Sequence, residues 1–186
     1  MADTKVGVGP GFLLLAAFLY YVGGGAAAAA FFTAALAHEL GHLAAMAAVG
    51  ARVTSVRLTA SGPVIRYAGE LTARQELAVV AAGPVAGLLF AVICFLADTP
   101  YYYYAGLIAA LAAAFNLLPA LPLDGGRLAY LLLECYVSKK TAAIFLRVSG
   151  SLCGAAVAGT GIYLRSWSAC AMGIWLAVLA NCPKLR

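Results

Sequence analysis

Both histidines of the chain lie within five residues, in the segment His38-Glu39-Leu40-Gly41-His42. The segment has the pattern H-E-x-x-H. Residues four apart lie on one face of a helix, about 6 Å apart along its axis, so two imidazoles at this spacing can bind one zinc ion. Glu39 lies beside them and can take a proton from a water that the metal activates. The motif therefore predicts a metal centre that carries out hydrolysis.

The motif lies inside an apolar segment, 7 to 11 residues before that segment ends at Val49. A charged side chain at such a depth in a membrane costs about 2.5–3.5 kcal/mol. Glu39 would be an expensive residue to keep there without a function. The alternative is that the three polar side chains only hydrogen-bond neighbouring helices.

Two histidines do not complete a catalytic zinc site, which usually has three protein ligands and one open position. No third histidine exists and the five cysteines form no C-x-x-C pair, so a carboxylate must serve. The candidates are Asp3, Glu70, Glu76, Asp98, Asp124 and Glu134. We expect Asp98 on the opposite side of the membrane and Asp3 in a tail. Glu70 and Glu76 lie at a surface connection, where solvated or capping roles are more common.

Asp124 lies in the sequence NLLPALPLDGGR, residues 116–127. Pro119 and Pro122 should end the preceding helix, and Gly125-Gly126 allow a sharp turn and a close backbone approach. The segment can then fold back into the bundle with Asp124 at its apex, provided that it is buried in protein or lines a wet cavity. We predict Asp124 as the third ligand. The alternative is a plain turn in which Asp124 is a helix N-cap.

Asn116 is the other polar residue inside the preceding helix. Its amide could donate a hydrogen bond to a substrate carbonyl or backbone, and we predict this role in the site. The alternative is a hydrogen bond between helices that has no chemical role.

The composition predicts a membrane protein. The 186 residues are 65% hydrophobic and 10% charged, and the mean hydropathy is +0.96. Soluble domains are roughly 45–50% apolar and about 25% charged, and disordered chains need low hydrophobicity and high charge, so both classes are excluded. Six apolar segments approach the length of a span. They cover residues 7–22, 26–49, 76–97, 101–118, 142–163 and 167–182.

The predicted fold class is an all-α membrane protein, a bundle of six transmembrane helices that forms one domain, 1–186. The first segment is the weakest, because it contains Pro10 and glycines. It could be a signal peptide, but a tight helical hairpin with the second segment suits the sequence better. Residues 50–75 are more polar, with valine and threonine around Gly62-Pro63. They predict a short β strand or hairpin at the cytoplasmic surface.

The distribution of lysine and arginine predicts the orientation. With six spans, ten basic residues lie on one side and only Arg165 on the other. The ten are Lys5, Arg52, Arg57, Arg66, Arg74, Arg127, Lys139, Lys140, Lys184 and Arg186. Both termini and the opening of the site are therefore predicted to be cytoplasmic. The charges form no compact stripe, so nucleic-acid binding is not expected. Residues 101–104, four tyrosines, fit an aromatic belt at the opposite interface.

The two motifs together carry a family resemblance. H-E-L-G-H in an apolar helix, followed by N-x-L-P-x-x-P-L-D-G-G-R near the end of a later one, resembles the site-2 protease family of intramembrane zinc metalloproteases, class M50. The resemblance runs from about Ala34 to Arg127. It implies that His38, His42 and Asp124 bind Zn2+. It also implies that Glu39 activates water, and that the substrate is a membrane-embedded or membrane-adjacent protein segment held as an extended strand.

The family also has a Gly-Pro motif at its third core helix, which here reads AGPVAG, residues 82–87. One position departs from the family pattern: Gly87 stands where the family often has asparagine. The layout most resembles the sporulation-type branch reduced to its membrane core, with no room for a PDZ insertion and no C-terminal CBS domain. This resemblance implies a bacterial cell membrane as the location.

The sequence thus predicts an intramembrane zinc endopeptidase that cleaves in or next to transmembrane segments, in regulated intramembrane proteolysis. An edge strand at residues 62–67 is predicted to capture the substrate by β-augmentation. One alternative is a metal transporter or metal-sensing membrane protein that uses the same cluster, and another is a non-catalytic scaffold. Cobalt, manganese or iron could occupy similar ligands. The oligomeric state is not indicated.

Overall fold

A computed structural model gives the fold and describes residues 5–59, 62–97 and 99–182. Within these residues the chain forms six helices and one three-stranded sheet. The elements are β1 (Lys5–Val8), α1 (Pro10–Ala48), β2 (Arg52–Thr59), β3 (Gly62–Ala68), α2 (Ala73–Leu96), α3 (Pro100–Asn116), α4 (Asp124–Leu133), α5 (Lys139–Tyr163) and α6 (Trp167–Ala180). The chain divides into two compact units, Met1–Ala113 and Ala114–Arg186.

Helix α1 doubles back on itself at Gly24. This residue has φ 73° and ψ 179°, which interrupts the helix. The rings of Phe12 and Phe32, on opposite sides of Gly24, have their centroids 5.5 Å apart. A continuous helix would separate them by about 30 Å along its axis. The predicted helical hairpin between the first two apolar segments is therefore confirmed.

The sheet has the strand order β1-β2-β3 and joins both ends of α1. β2 and β3 form the antiparallel hairpin that the sequence predicts within residues 50–75. β1 precedes α1 and pairs parallel with β2, and the Gly9 N–H donates to the Leu58 carbonyl at 2.8 Å. β1 was not predicted, because a four-residue strand has too little sequence for an alternation to show.

Helices α1, α2 and α3 pack through small side chains in successive layers. One layer contains Ala30, Cys94 and Ala105, and the next contains Ala34, Ala91 and Ala109. The α1 members of the layers are four residues apart and so share one face of the helix. Small side chains let helices approach closely where lipid leaves no hydrophobic force between them. The same α1 face continues to His38 and His42, which are also buried.

The second unit holds the segment between α3 and α4 against α5 and α6. Ala120 and Leu176 are fully buried and belong to one apolar cluster. The Ser149 hydroxyl of α5 donates to the Pro119 carbonyl at 2.6 Å. α5 and α6 themselves meet at glycines, because an ideal Cβ on Gly154 would lie 2.7 Å from the carbonyl oxygen of Gly173. This packing fixes the irregular segment that leads into α4.

The fold is mostly helical with one small sheet, as predicted in outline. By length and composition, α1, α2 and α5 are the described helices long and apolar enough to cross a membrane. α6 is apolar but has only 14 residues, and α3 has 17. The count of six spans, the single domain and the cytoplasmic termini stay predictions. Asp3 and Asp98 lie outside the described residues.

We predict that Gly24→Ala destabilises the protein. Its φ of 73° with ψ of 179° is a backbone conformation open essentially to glycine alone, and a Cβ there costs of order 1–3 kcal/mol. Gly159→Ala is the matched control, because Gly159 is inside α5 and a Cβ there meets no atom within 4 Å. Thermal unfolding in detergent should give a lower Tm for Gly24→Ala only, and equal Tm values would contradict the hairpin turn.

Candidate metal centre

The two histidines of the H-E-x-x-H motif converge on one point. His38 and His42 lie in the second arm of α1 and are only 8% and 9% exposed. Their Nε2 atoms are 3.2 Å apart, and the two rings are nearly perpendicular, at 79°. The sequence prediction that both imidazoles share one face of the helix is confirmed by this separation.

A backbone carbonyl of α2 orients the second imidazole. The Nδ1–H of His42 donates to the Val79 carbonyl at 2.8 Å. With its proton on Nδ1, the ring offers the Nε2 lone pair to a metal, which is the usual way in which an outer hydrogen bond sets the tautomer of a ligand. Pro84 lacks an N–H and weakens the helical hydrogen bonding in the same part of α2.

The separation of the two nitrogens fits a shared zinc ion. Zinc–nitrogen bonds are about 2.0–2.1 Å long, so nitrogens at the observed distance would subtend about 100° at the metal, close to the tetrahedral angle. Of the predicted donors, the two imidazoles of His38 and His42 belong to the first unit and the Asp124 carboxylate to the second. Two imidazoles and one carboxylate form a recognised catalytic set for zinc. The residues present therefore fit the metal that the sequence predicts.

Glycines on α2 make room for the histidines. An ideal Cβ on Gly83 would lie 2.7 Å from Cδ2 of His42 and nearer still to Nε2. Gly41, within the motif, approaches the same helix, since a Cβ there would lie 2.6 Å from Cβ of Ala86. The interior is packed too densely to absorb such overlaps. Gly83 is thus required for the position of His42.

Gly87 faces the other histidine but with more space. A Cβ there would lie 3.8 Å from Nδ1 of His38 and 3.5 Å from Cβ of Ala113, which are ordinary contacts. The position where the family often has asparagine is therefore next to the first histidine, and in this chain it presents no side chain.

Asp124 is the first residue of α4, and the N-cap is Leu123, which makes no side-chain capping bond. The alternative in which Asp124 is an N-cap is therefore wrong. The turn before it is tight. A Cβ on Gly126 would lie 2.6 Å from the Ala120 carbonyl oxygen, and one on Gly125 would overlap Leu117. As predicted, Gly125-Gly126 serve a close backbone approach. Asp124 lies at the start of α4 rather than within a turn.

The remaining predicted residues lie as follows. Glu39 is half-buried next to His38 in α1, and Asn116 is the half-buried last residue of α3. Glu76 is in the first turn of α2, which begins with a capping box of Thr72 and Gln75. Glu70 is exposed. The roles of Glu39 and Asn116 stay predictions.

The sequence did not indicate Val79 as a member of the site, and it showed Gly83 only as part of the Gly83-Pro84 motif, without a role beside His42. A backbone carbonyl leaves no signal in the residue type, so Val79 could not be found. The role of Gly83 could have been inferred, because Gly83-Pro84 interrupts an apolar helix and such a glycine commonly marks close packing.

Comparison with known proteins bears on the family and the fold. The model of Peptidase family M50 matches residues 97–156, which include Asn116 and Asp124. Among solved structures, the fold is similar to that of the Site-2 Protease from Methanocaldococcus jannaschii, with a TM-score of 0.73 and 18% identity over 97% of this chain and 92% of that chain. The predicted resemblance to the site-2 protease family is confirmed. A search of curated proteins gives no match. The family match covers about a third of the chain and excludes the histidine motif, which rests on its own geometry.

We predict that Gly83→Ala weakens metal binding by about 10–100-fold, because the new methyl group would displace the His42 ring from its position against Val79. Gly87→Ala is the control on the same helix, with the same gain in helix propensity and only ordinary contacts. Chelator competition on the purified variants measures the affinity. Equal zinc affinities for the two variants would show that Gly83 does not position the ligand.

Proposed function

We propose that the protein is an intramembrane zinc endopeptidase that hydrolyses peptide bonds in or next to transmembrane segments of protein substrates. The observation that carries the proposal is the pair of buried imidazole Nε2 atoms, 3.2 Å apart, in an apolar helix that also bears Glu39. The M50 match and the fold shared with a site-2 protease support a membrane metalloprotease. The composition and the long apolar helices place such a protein in a lipid bilayer.

In this proposal His38, His42 and Asp124 hold the zinc ion. Zinc supplies Lewis-acid chemistry when bound, because it polarises a carbonyl oxygen and makes water more acidic. The Nδ1–H bond from His42 to Val79 keeps that ring in the ligating tautomer. The fold-back at Gly125 and Gly126 fixes the start of α4, where Asp124 stands.

Glu39 is the general base and then the general acid. Its carboxylate takes a proton from the water that attacks the scissile carbonyl, and afterwards returns that proton to the leaving nitrogen. Glu39 directly follows His38 in the sequence and is therefore adjacent to a proposed metal ligand. Asn116 donates from its amide to the substrate backbone or to the developing oxyanion.

The substrate binds as an extended strand on the sheet. A helical substrate must unwind first, since its own hydrogen bonds protect the scissile carbonyl. β3 pairs with β2 on one side and has no second strand partner among the described residues, so its other edge can accept a strand by β-augmentation. This is the strand that the sequence predicts for capture at residues 62–67. We further propose that the termini and the opening of the site are cytoplasmic.

We predict that Glu39→Gln abolishes cleavage of a co-expressed membrane substrate and keeps its zinc, because the amide cannot accept the proton. Glu70→Gln is the matched control, since Glu70 is exposed outside the motif. His38→Ala should lose both zinc and activity. Cleavage by Glu39→Gln at the parent rate would refute the catalytic role. Metal flux into vesicles without any proteolysis would favour a transporter instead.

We predict that Gly125→Ala lowers both zinc affinity and kcat, because a Cβ at this position would push Leu117 away and shift the start of α4. The expected loss of affinity is about 10–100-fold, the range seen when the support of a metal ligand is disturbed. Gly159→Ala, whose Cβ meets nothing within 4 Å, is the control. Zinc content per chain and single-turnover cleavage are the measurements. Full zinc in Gly125→Ala would count against Asp124 as a ligand.

A further inference from the structure

The three-stranded sheet carries all its cations on one face. Directly paired residues share a face, and the pairing puts Lys5, Ser55 and Arg66 in one row across the three strands. Arg57 is two residues beyond Ser55 on β2, so it lies on the same face. These cationic side chains are all exposed.

A bulge in β2 adds a fourth cation to this face. The register shifts between Val53 and Ser55, so that Arg52 pairs with Ala68, two residues after Arg66. Without the extra residue, strict alternation would turn Arg52 to the other face. We call the four residues the cationic face: Lys5, Arg52, Arg57 and Arg66.

The opposite face is apolar. The row that contains Val6, Val56 and Ile65 lies on it, as do its neighbours Val8, Leu58, Pro63 and Tyr67 by alternation. No aspartate or glutamate occurs in β1, β2 or β3. The cationic face therefore has no acidic side chain within the sheet to neutralise it.

The sheet lies at the end of the helices that carry the metal centre. β2 follows α1, which ends six residues after His42, about 9 Å along the axis. β3 leads into α2, which contains Val79. An extended segment on the edge of β3 would therefore be near the proposed catalytic groups. The other edge strand, β1, has four residues against seven in β3, and is the weaker template.

We propose that β3 selects substrate segments in which acidic side chains alternate with apolar ones. This inference rests on the proposed protease function and names the substrate class for that site. A strand added to β3 places every second side chain on the cationic face, where the residue paired with Arg66 lies about 4.5–5.5 Å away between Cβ atoms. The intervening side chains lie on the apolar face beside Ile65 and Tyr67. Aspartate or glutamate at the positions on the cationic face, and valine or leucine at the positions on the apolar face, complement the two faces of the sheet.

A peptide explains more of these observations than a lipid surface does. Anionic headgroups would be attracted by the four charges alone and would need neither an open strand edge nor two-residue alternation. Here the cations, the open edge of β3 and the apolar face occur in one register. The lipid explanation is kept as an outcome of the test.

The test is binding to the Glu39→Gln variant, so that cleavage does not interfere. Two labelled peptides, (Val-Glu)4 and (Val-Lys)4, are titrated by fluorescence anisotropy against protein in neutral detergent. The acidic peptide should bind about five- to tenfold more tightly. Arg66→Glu should abolish or reverse this preference, and Arg66→Lys should retain it. Arg165→Glu makes the same charge change at an exposed residue outside the sheet and should have no effect.

Equal affinity for the two peptides, or a preference that Arg66→Glu leaves unchanged, would overturn the inference. So would an effect of Arg66→Glu that is present in nanodiscs with phosphatidylglycerol and absent in nanodiscs of phosphatidylcholine alone, since it would assign the cations to lipid. Failure of the proposed function gives a different result: the parent protein would cleave no substrate, while the binding preference of the Glu39→Gln variant would still be measured.

Discussion

The site depends on one packing constraint, the fit of two imidazoles into a helix contact otherwise built from small side chains. Along one face of α1 the residues in contact with α2 include Ala30, Ala34, His38, Gly41 and His42. Where α1 carries alanine, α2 has Cys94 or Ala91. Where α1 carries histidine, α2 has Gly87 or Gly83. The α2 side chains become smaller as those of α1 become larger, so the helices can remain close and the His42 ring can reach the Val79 carbonyl.

This constraint explains why so apolar a chain can keep a polar site. A buried imidazole is expensive unless its nitrogens are paired. Close approach of the two backbones lets a carbonyl of α2 satisfy one nitrogen of His42, and the other nitrogen faces His38, where the metal is proposed to bind. The same device recurs before α4, where Gly125 and Gly126 let the preceding segment lie directly on the new helix. Glycines thus position the two proposed histidine ligands and also Asp124.

The sequence predicted the features that come from local chemistry. The spacing of His38 and His42, the breaks at Pro119 and Pro122, the hairpin of α1 and the β2–β3 pair all leave signals in residue type or period. It could not predict β1, the Val79 hydrogen bond or the bulge that turns Arg52. Each of these depends on a partner distant in the chain, and a residue's type does not show which partner its backbone groups bond to. The alternative to a ligand role for Asp124, a helix N-cap, is wrong because the N-cap is Leu123, one position earlier.

The parallel pairing of β1 with β2 also has a consequence for how the chain enters a bilayer. β1 is synthesised before α1 and β2 after it, yet the two strands are hydrogen-bonded neighbours. Their pairing requires both ends of α1 to lie on the same side of the bilayer. If only one arm of α1 crossed the bilayer, β1 and β2 would lie on opposite sides of it and could not form their hydrogen bonds. The small sheet can therefore form only when both arms of the α1 hairpin are inserted.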